Sequence, residues 1–252
     1  MNLRPRNSVN SRQVVQSLLD AYRRGYFPMA DDPAPWNPLR TRQIHWFSPD
    51  PRGLLPLRES EGLHVSRSLE RRLRSRWFEI RVNTAFEPVM RACADPRKPP
   101  SDSDPGGEDP FDPGGTWIDG TLIHWYRLLH EHGHAHSVEC WRTDTDTGEH
   151  ALVGGVYGVS IGAAFFGESM FHRPRPRNPD GSRHPLDGTD ASKVALVTLV
   201  RALARAGYAL FDTQMVTNHV ATLGGYEIPR ADYLRQLDKA INQPDRWPNV
   251  VI

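Results

Sequence analysis

The chain has 252 residues, of which 38% are hydrophobic and 24% charged, and its formal net charge is +1 at pH 7. This length and composition suit a globular protein with one large or two modest domains, and the balanced charge excludes a molecule that binds polyanions over its whole surface. The apolar stretches fall far short of a membrane span, and the N-terminus has no apolar segment typical of a signal peptide. Cys93 and Cys140 give no disulfide framework, so we expect a cytoplasmic protein with reduced thiols.

The first third of the chain predicts helices separated by irregular segments. Apolar residues at helical spacing predict a helix over residues 10–24, whereas the Pro- and Trp-rich segment 26–46 predicts irregular structure. A helix at 65–77, a strand at 78–82 and a helix at 84–94 follow. The helix at 65–77 and its end carry five arginines, which are Arg67, Arg71, Arg72, Arg74 and Arg76.

The middle of the chain predicts a long loop followed by an antiparallel meander. Residues 95–115, DPRKPPSDSDPGGEDPFDPGG, are too rich in Pro, Gly and Asp for regular structure. A predicted helix at 120–132 precedes predicted strands at 137–142, 151–161 and 163–171. Turn residues and apolar alternation favour antiparallel pairing of these strands.

The last third predicts a polar loop at 172–190, an amphipathic helix at 191–206 and a buried strand that ends at Asp212. The order of meander, helix and strand indicates an α+β fold, with helices packed on a mostly antiparallel sheet. The helix-rich start of the chain suggests a small N-terminal domain. We therefore predict a small domain over residues 1–62 and a larger domain over 63–252.

Polar residues in apolar strands are the first candidates for chemistry. Asp212 and Gln214 lie two apart, so they share one face if the strand continues past Asp212. The alternative is a strand that ends in a turn, where Asp is common. Glu168 lies among aromatic and apolar residues in FFGESMF, and an acid in such surroundings needs a partner or a task. The alternative is that Glu168 lies on the solvent face of its strand.

The segment LLHEHGHAHSVE contains a formal match to the HExxH pattern of zinc peptidases, in His130, Glu131 and His134. That chemistry requires both histidines on one face of a continuous helix. Gly133 lies between them, where the helical pattern stops. The alternative is a helix C-terminus enriched in His, which the helix dipole favours without any metal.

Two further features are compatible with nucleic acid. The arginine run that begins at Arg67 suits contact with a phosphate backbone, although a solvated helix face is the alternative. Trp46, Trp117 and Trp125 are candidate surfaces for stacking a base, although tryptophans commonly lie in a core. The glycines of LVGGVYGVSIGAAFFGESMF do not form a phosphate loop, so binding of nucleotide phosphates is not supported.

Several longer segments occur in an order typical of one family: YRRGYFPMA, HWFSPDPRGLLPL, HVSRSLER, TWI, LHEHGHAHSVECW, LVGGVYGVSIGAAFFGESMF, ASKVALVTLV and FDTQMVTNHVATLGGYEIPR. Over about residues 11–235 the chain resembles the bacterial leucyl/phenylalanyl-tRNA–protein transferases. The combination of WFSPDPRG, GGVYG with GESMF, and FDTQ with LGGYEIPR is highly specific. The two Pro-rich loops are longer than is typical of the family.

The resemblance implies a fold and a reaction. The fold is a small N-terminal domain and a larger GNAT-like domain, similar to acyl-CoA N-acyltransferases. The reaction is transfer of Leu or Phe, with Met as a further candidate, from aminoacyl-tRNA to the N-terminal Arg or Lys of an acceptor protein, which marks that protein for degradation. The resemblance implies no metal, no cofactor and no membrane.

The resemblance also implies site residues. Asp212 and Gln214 are the central polar pair near the acceptor amine, and Glu168 lies beside the aminoacyl-adenosine. Trp46 and Trp117 surround the terminal adenine, and the basic helix from Arg67 to Arg76 holds the acceptor-stem phosphates. The side-chain pocket for Leu or Phe is lined by Val156, Phe165, Leu196 and Leu199.

From the chemistry alone, the ester is already activated, so the enzyme mainly positions an amine against a carbonyl. A carboxamide is a poor base, so we expect Gln214 to position the amine, while the proton passes to water or the tRNA ribose hydroxyl.

Other functional classes stay open at this stage. An acyl-CoA-dependent N-acyltransferase on the same general fold would need a Gly-rich pyrophosphate loop before a helix, and none is evident. A zinc peptidase would use His130, Glu131 and His134. A tRNA-binding module without catalysis is distinguished by whether Asp212 lies in a pocket.

Overall fold

The computed structural model describes residues 11–31, 42–95, 116–245 and 247. Within these residues the helices are α1 (Ser11–Arg23), α2 (Arg67–Arg74), α3 (Phe86–Ala94), α4 (Gly120–Glu131), α5 (Ala191–Ala206), α6 (Asn218–Ala221) and α7 (Arg230–Ile241). The strands are β1 (Phe27–Ala30), β2 (Ile44–Phe47), β3 (Arg52–Leu54), β4 (Glu79–Val82), β5 (Ala135–Thr143), β6 (His150–Ile161), β7 (Ala164–His172), β8 (Leu210–Gln214) and β9 (Tyr226–Ile228). None of these helices combines the length and the apolar character that crossing a bilayer requires.

The larger sheet has the strand order β4-β5-β6-β7-β8-β3-β9 in the described part of the chain. Its neighbouring strands are antiparallel, except that β7 and β8 run parallel. Strands β1 and β2 form a separate antiparallel pair. The predicted α+β fold, with a small N-terminal part and a larger part built on a mostly antiparallel sheet, is confirmed.

Helices cover both faces of the larger sheet and bury a separate apolar cluster on each. We call one side the α1 face, since its cluster includes residues of α1, α3, α4 and α7. We call the other side the α5 face, since its cluster is built mainly by α5, with Leu69 of α2. Strand alternation divides the residues between them, so that Val156 packs on the α5 face and Tyr157 on the α1 face.

Helix ends follow local sequence signals. The Asp119 side chain accepts the backbone N–H of Leu122 at 2.8 Å and so caps the start of α4. Gly133, at φ +79°, follows the end of α4, and Gly207, at φ +83°, ends α5. The predicted helix at 191–206 is confirmed at both ends, and the predicted helix at 120–132 ends one residue earlier than expected.

The prediction of irregular structure over 26–46 is wrong where the chain is described, because β1 and β2 pair there. Strand β3 was also not predicted, and it pairs with both β8 and β9 in the larger sheet. A short strand of this kind is defined by distant partners, and its own sequence carries little signal. The domain boundary at residue 62 stays a prediction. Strand β3 lies before that residue and nevertheless joins the larger sheet.

The predicted loop at 95–115 lies outside the described residues, apart from Asp95. The loop predicted at 172–190 is described from the end of β7 to the start of α5.

Candidate active site

Asp212, on β8, is a fully buried carboxylate, and each of its two oxygens accepts two hydrogen bonds. The Arg52 guanidinium binds Asp212 in a bidentate manner: Nε donates to Oδ1 at 2.9 Å and Nη2 donates to Oδ2 at 2.7 Å. The Tyr233 hydroxyl donates to Oδ2 at 2.6 Å, and the Gln214 backbone N–H donates to Oδ1 at 2.8 Å. This arrangement holds Asp212 in one position and neutralises its charge locally.

Arg52 reaches this position from β3, the strand that pairs with β8. Its remaining amino group donates to the carbonyl of Gly25 at 3.0 Å. The guanidinium carbon lies 5.1 Å from the ring centroid of Phe27 and 4.5 Å from that of Tyr233. Although burial disfavours the cation, the Asp212 carboxylate holds the pKa of Arg52 above its ordinary value. The pair is therefore an ionised ion pair without exposure to solvent.

Gln214 ends β8 in a left-handed backbone conformation, with φ +61°. The residue is 6% exposed, and among the described residues its side-chain Nε2 has no hydrogen-bond partner. Gly53, opposite on β3, allows this geometry, since a Cβ there would lie 2.5 Å from the carbonyl carbon of Met215. A strained backbone together with an unpaired buried amide is unfavourable for stability and typical of a functional position.

Glu168 is the extra residue of a β-bulge in β7, because Tyr157 and Gly158 of β6 pair with Ser169 and Gly167. Its carboxyl lies in a ring of three oxygen groups with two buried tyrosines. The Tyr22 hydroxyl lies 2.7 Å from Oε1, the Tyr126 hydroxyl 2.8 Å from Oε2, and the two hydroxyls lie 2.6 Å apart.

Two opposing influences act on the protonation of Glu168. The Tyr22 and Tyr126 hydroxyls donate to its two oxygens, and such bonds favour the ionised carboxylate. Burial is the larger influence and raises the pKa of Glu168 to about 7, with the Asp212 charge adding to the shift.

The two carboxyl groups lie on the same face of adjacent strands. Phe166 of β7 is the register partner of Asp212, and Glu168 follows Phe166 by two residues. The end of α1 and the residues just after it reach this region, since the Tyr22 hydroxyl donates to Glu168 and the Gly25 carbonyl accepts from Arg52, the partner of Asp212. Asp212 and Glu168 therefore lie on this face beneath α1, with Glu168 in the middle of β7 and Asp212 near the C-terminal end of β8, which Gln214 completes.

The predicted adenine-binding tryptophans lie near the N-terminal strand pair. Trp46, on β2, is 40% exposed and stacks on Trp125 of α4, with ring centroids 6.2 Å apart and planes at 19°. Trp117 is half-buried, and its carbonyl accepts the backbone N–H of Ala30 at 3.0 Å. Trp46 with Trp125 thus forms a stacked pair with an accessible ring, while Trp117 packs against the α1-face core.

The predicted pocket for the aminoacyl side chain lies apart from Asp212, Gln214 and Glu168. Its four residues are at most 4% exposed and belong to the core of the α5 face. These residues are Val156, Phe165, Leu196 and Leu199. Trp247 packs beside them, 5.9 Å from Phe165 and stacked on His136 at 3.6 Å. The structure thus gathers the four apolar residues into one cluster, on the opposite face of the sheet from the partners of Asp212 and Glu168.

The predicted tRNA helix is α2, capped at its start by the Ser66 hydroxyl, which accepts the Leu69 N–H at 3.3 Å. Most of its predicted phosphate ligands are exposed, namely Arg67, Arg71, Arg74 and Arg76. Arg72 is half-buried and lies over the Trp77 ring, at 5.6 Å from its centroid.

The helical geometry that the zinc-peptidase interpretation needs is not formed. Helix α4 ends at Glu131, and His134 lies beyond Gly133 in the turn to β5. His130 stacks on Phe86 and its Nδ1 lies 2.8 Å from the Ala135 carbonyl oxygen. Among the residues that the structure describes, no cluster of His, Cys, Asp or Glu is arranged to hold a metal ion.

Four residues of the site were not identified from sequence: Arg52, Tyr22, Tyr126 and Tyr233. Arg52 lies in the SPDPRG segment, where local sequence gives no indication of a partner on β8. The three tyrosines occupy the apolar stripes of α1, α4 and α7, where they resemble core residues. A buried hydroxyl needs a partner, and that requirement is the signal that could have singled them out.

Comparison with known proteins shows the family to which the chain is similar. A family model described as "Leucyl/phenylalanyl-tRNA protein transferase" matches residues 57–238, and a model of its N-terminal domain matches residues 15–50. A relative from Ruegeria sp. (strain TM1040), named leucyl/phenylalanyl-tRNA--protein transferase, is 44% identical over 230 residues, covering 90% of this chain and 86% of the relative.

Two more relatives carry the same name. One from Thiobacillus denitrificans is 44% identical over 229 residues, covering 91% of this chain and 81% of the relative. One from Akkermansia muciniphila is 39% identical over 235 residues, covering 93% of this chain and the whole relative. These matches make the chain an enzyme of the aminoacyltransferase class. Within that class, it belongs to the leucyl/phenylalanyl-tRNA protein transferase family.

Proposed function

We propose that this enzyme transfers Leu or Phe, with Met as a further donor, from aminoacyl-tRNA to the N-terminal Arg or Lys of acceptor proteins. The names of its relatives support the donor and the protein acceptor. The modified N-terminus then marks the acceptor protein for degradation. We propose a cytoplasmic location, where aminoacyl-tRNA is available.

The reaction replaces an ester by an amide. The acceptor amine attacks the ester carbonyl, the bond from this carbon to the ribose oxygen breaks, and the ribose hydroxyl takes up a proton. The amine loses a proton in the same sequence, so no net proton is needed when the amine reacts in its neutral form. Such a reaction is accelerated by positioning and by donors to the oxyanion.

The unpaired amide of Gln214 is the observation that carries the assignment of roles. Its buried Nε2 has no partner among the described residues, and a carboxamide N–H suits a carbonyl oxygen that is becoming an oxyanion. The Asp212 carboxylate accepts the Gln214 backbone N–H at 2.8 Å. Since the Asp212 oxygens are already occupied, we assign Asp212 a positioning role that acts through Gln214.

Glu168 is the group on this face that suits proton transfer at neutral pH. Burial raises the pKa of Glu168 to about 7, close to the optimum for an acid or base that works near pH 7. We propose that Glu168 lies beside the aminoacyl-adenosine and accepts the proton of the acceptor amine. Trp46 and Trp117 then contact the adenine. The apolar side chain reaches Val156, Phe165, Leu196 and Leu199 around the C-terminal end of β8, since these four residues lie on the α5 face.

The test is single-turnover transfer of labelled Leu from tRNA to a peptide that begins with Arg. Gln214→Ala should slow transfer by about 10²-fold or more, the scale of a lost oxyanion donor, while tRNA affinity stays near that of the wild type. Asp212→Asn should slow transfer similarly if the backbone of Gln214 is displaced. Asp238→Asn, an exposed change on α7, is the matched control.

Near wild-type rates for both Asp212→Asn and Gln214→Ala would contradict these roles. An active enzyme that accepted acetyl-CoA, and not Leu-tRNA, as its donor would contradict the proposed donor and favour the acyl-CoA-dependent alternative.

A further inference from the structure

The loop between β7 and α5 is an ordered element built around a buried carboxylate. Asp187 is 3% exposed. Its Oδ1 accepts the backbone N–H of Arg175 at 3.0 Å and both the N–H and the hydroxyl of Thr189, at 3.1 and 2.8 Å. Its Oδ2 accepts a hydrogen bond from the Arg183 guanidinium. These bonds tie the start and the end of the loop together.

The loop borders an open basic cavity of about 210 Å³, lined by Arg175, Arg177, Arg183, Asp187 and Thr189. Arg175 and Arg177 are exposed, and Arg177 donates to the Gly181 carbonyl at 2.9 Å. Although burial opposes its ionisation, the hydrogen bonds to Asp187 hold the pKa of that carboxyl below its ordinary value. Its negative charge faces Arg183, and its oxygens are already occupied.

Trp77 joins this loop to α2. Three guanidinium carbons lie near its ring centroid, those of Arg72 at 5.6 Å, Arg142 at 3.7 Å and Arg183 at 5.8 Å. The Trp77 indole N–H donates to the Asp187 carbonyl at 3.2 Å. One ring therefore supports cations from the helix, from β5 and from the loop, so the basic surface of α2 continues into the cavity.

Positive charge exceeds negative charge in this group of contacting residues. The cations are Arg72, Arg142, Arg175, Arg177 and Arg183. The carboxylates are Asp187 and Asp190, the latter 4.0 Å from Arg72. Burial first and the Arg183 charge second lower the pKa of Arg72, and burial and then Arg72 lower that of Arg142. Crowded cations of this kind are stabilised by a bound anion.

We propose that the 173–190 loop, together with Trp77, forms a second phosphate-binding site for the RNA donor, adjoining α2. The proposal rests on the proposed function, since aminoacyl-tRNA is the polyanion that the enzyme must hold. Guanidinium groups bind phosphate oxygens with two parallel hydrogen bonds. Contacts of this kind hold the RNA body without reading its sequence.

The test removes the two exposed arginines of the cavity, in a variant with Arg175→Ala and Arg177→Ala. Arg175 supports Asp187 through its backbone N–H, so the bonds around Asp187 should persist, although the exposed bond from Arg177 to the Gly181 carbonyl is lost. Each phosphate contact contributes about 0.7–0.9 to the slope of log affinity against log salt. The variant should therefore bind uncharged tRNA more weakly, with a slope flatter by about 1–2. A double variant with Arg91→Ala and Arg235→Ala, exposed arginines on α3 and α7, removes the same charge and should keep the wild-type slope.

The minimal donor, an aminoacyl-adenosine without the RNA body, separates this proposal from the proposed function. Its transfer should be equal in the wild type and the cavity variant. Unchanged tRNA affinity and salt slope in the cavity variant would overturn the second site. The second site would also be overturned if the cavity variant lost binding of inorganic phosphate but kept its affinity for tRNA, since the cavity would then be a site for free anions. A wild type that transferred from no aminoacyl donor would instead overturn the proposed function, whatever the RNA-binding result.

Discussion

Two carboxyl groups on the same face of the sheet are held in opposite ways. Asp212 is paired with a guanidinium, and its oxygens accept four hydrogen bonds. Glu168 is bound by two tyrosine hydroxyls and, among the described residues, by no cation, and burial raises its pKa to about 7. One group is held in a buried pair with a guanidinium, and the other can change its protonation state at neutral pH. Environment, more than residue type, divides structural support from proton transfer.

The largest expected effect comes from removing the cation of the fixed pair. Arg52→Met leaves the Asp212 carboxylate buried without a counter-charge, and should lower the free energy of unfolding by about 3–5 kcal/mol in urea titrations. Adding Asp212→Asn should recover part of this loss, because the uncompensated charge is gone. Arg81→Met breaks an exposed pair with Glu79 and should cost less than about 1 kcal/mol. Equal losses for Arg52→Met and Arg81→Met would mean that Asp212 does not depend on its cation.

The next effect concerns the adjustable group. Glu168→Gln keeps the shape and a hydrogen-bonding end but cannot exchange a proton near pH 7. Single-turnover transfer should slow by about 10²-fold, and the rise in rate at about pH 7 should disappear, which leaves the rise at about pH 8 from deprotonation of the acceptor amine. Glu149→Gln, in the exposed turn between β5 and β6, is the matched control. A variant that kept the wild-type pH profile would show that Glu168 does not take the proton.

A smaller effect should be visible in stability against pH. Because the folded-state pKa of Glu168 lies near 7 and its ordinary value is 4.5, the unfolded chain releases this proton first as pH rises. Wild-type stability is therefore lost progressively between about pH 4.5 and 7, relative to Glu168→Gln. The shift corresponds to about 3 kcal/mol, so we expect the difference in melting temperature to grow by about 6–12 °C over this range. A constant difference from pH 5 to 8 would contradict the raised pKa.

The smallest effect should come from single members of the tyrosine ring. Tyr126→Phe removes a hydrogen bond that lowers the pKa of Glu168, so the midpoint of the pH–rate profile should move to higher pH. The loss of stability should be about 1 kcal/mol, the scale of one hydrogen bond. Tyr208→Phe, which breaks a buried bond to Ser160 on the α5 face, should cost similar stability without moving the profile. A midpoint that moved to lower pH in Tyr126→Phe would contradict the ring.

Local pattern predicted the parts of the fold that depend on local signals. The helix at 191–206 has an apolar stripe and a glycine stop, and the strands of the meander are nine to twelve residues long and rich in apolar residues. Strands β3 and β9 are three residues long and were not predicted, because their formation depends on β8 and on each other.

The same limit applies to the site. Asp212 and Glu168 were singled out because an acid in an apolar strand is unusual, but their partners come from other segments. Tyr22 is 146 positions from Glu168 in the chain, and no local periodicity indicates such a pairing. Local periodicity also did not indicate that Arg52 would bind both oxygens of Asp212. This pairing changes the expected role of Asp212 from contacting the amine to holding Gln214.

The long separation between Arg52 and Asp212 also has a consequence for how the chain folds. Their pairing closes a loop of 160 residues. Because synthesis runs from the N-terminus, Arg52 leaves the ribosome before Asp212. At about 5–20 residues per second, Asp212 is synthesised roughly 8–32 s later. During that interval β3 has neither of its neighbours in the sheet. Pairings between residues so far apart in the chain form slowly, so we expect the meander of β5, β6 and β7 to fold before Arg52 and Asp212 pair on the α1 face. Recovery of transfer activity in a refolding experiment would then report the last long-range pairing of the chain.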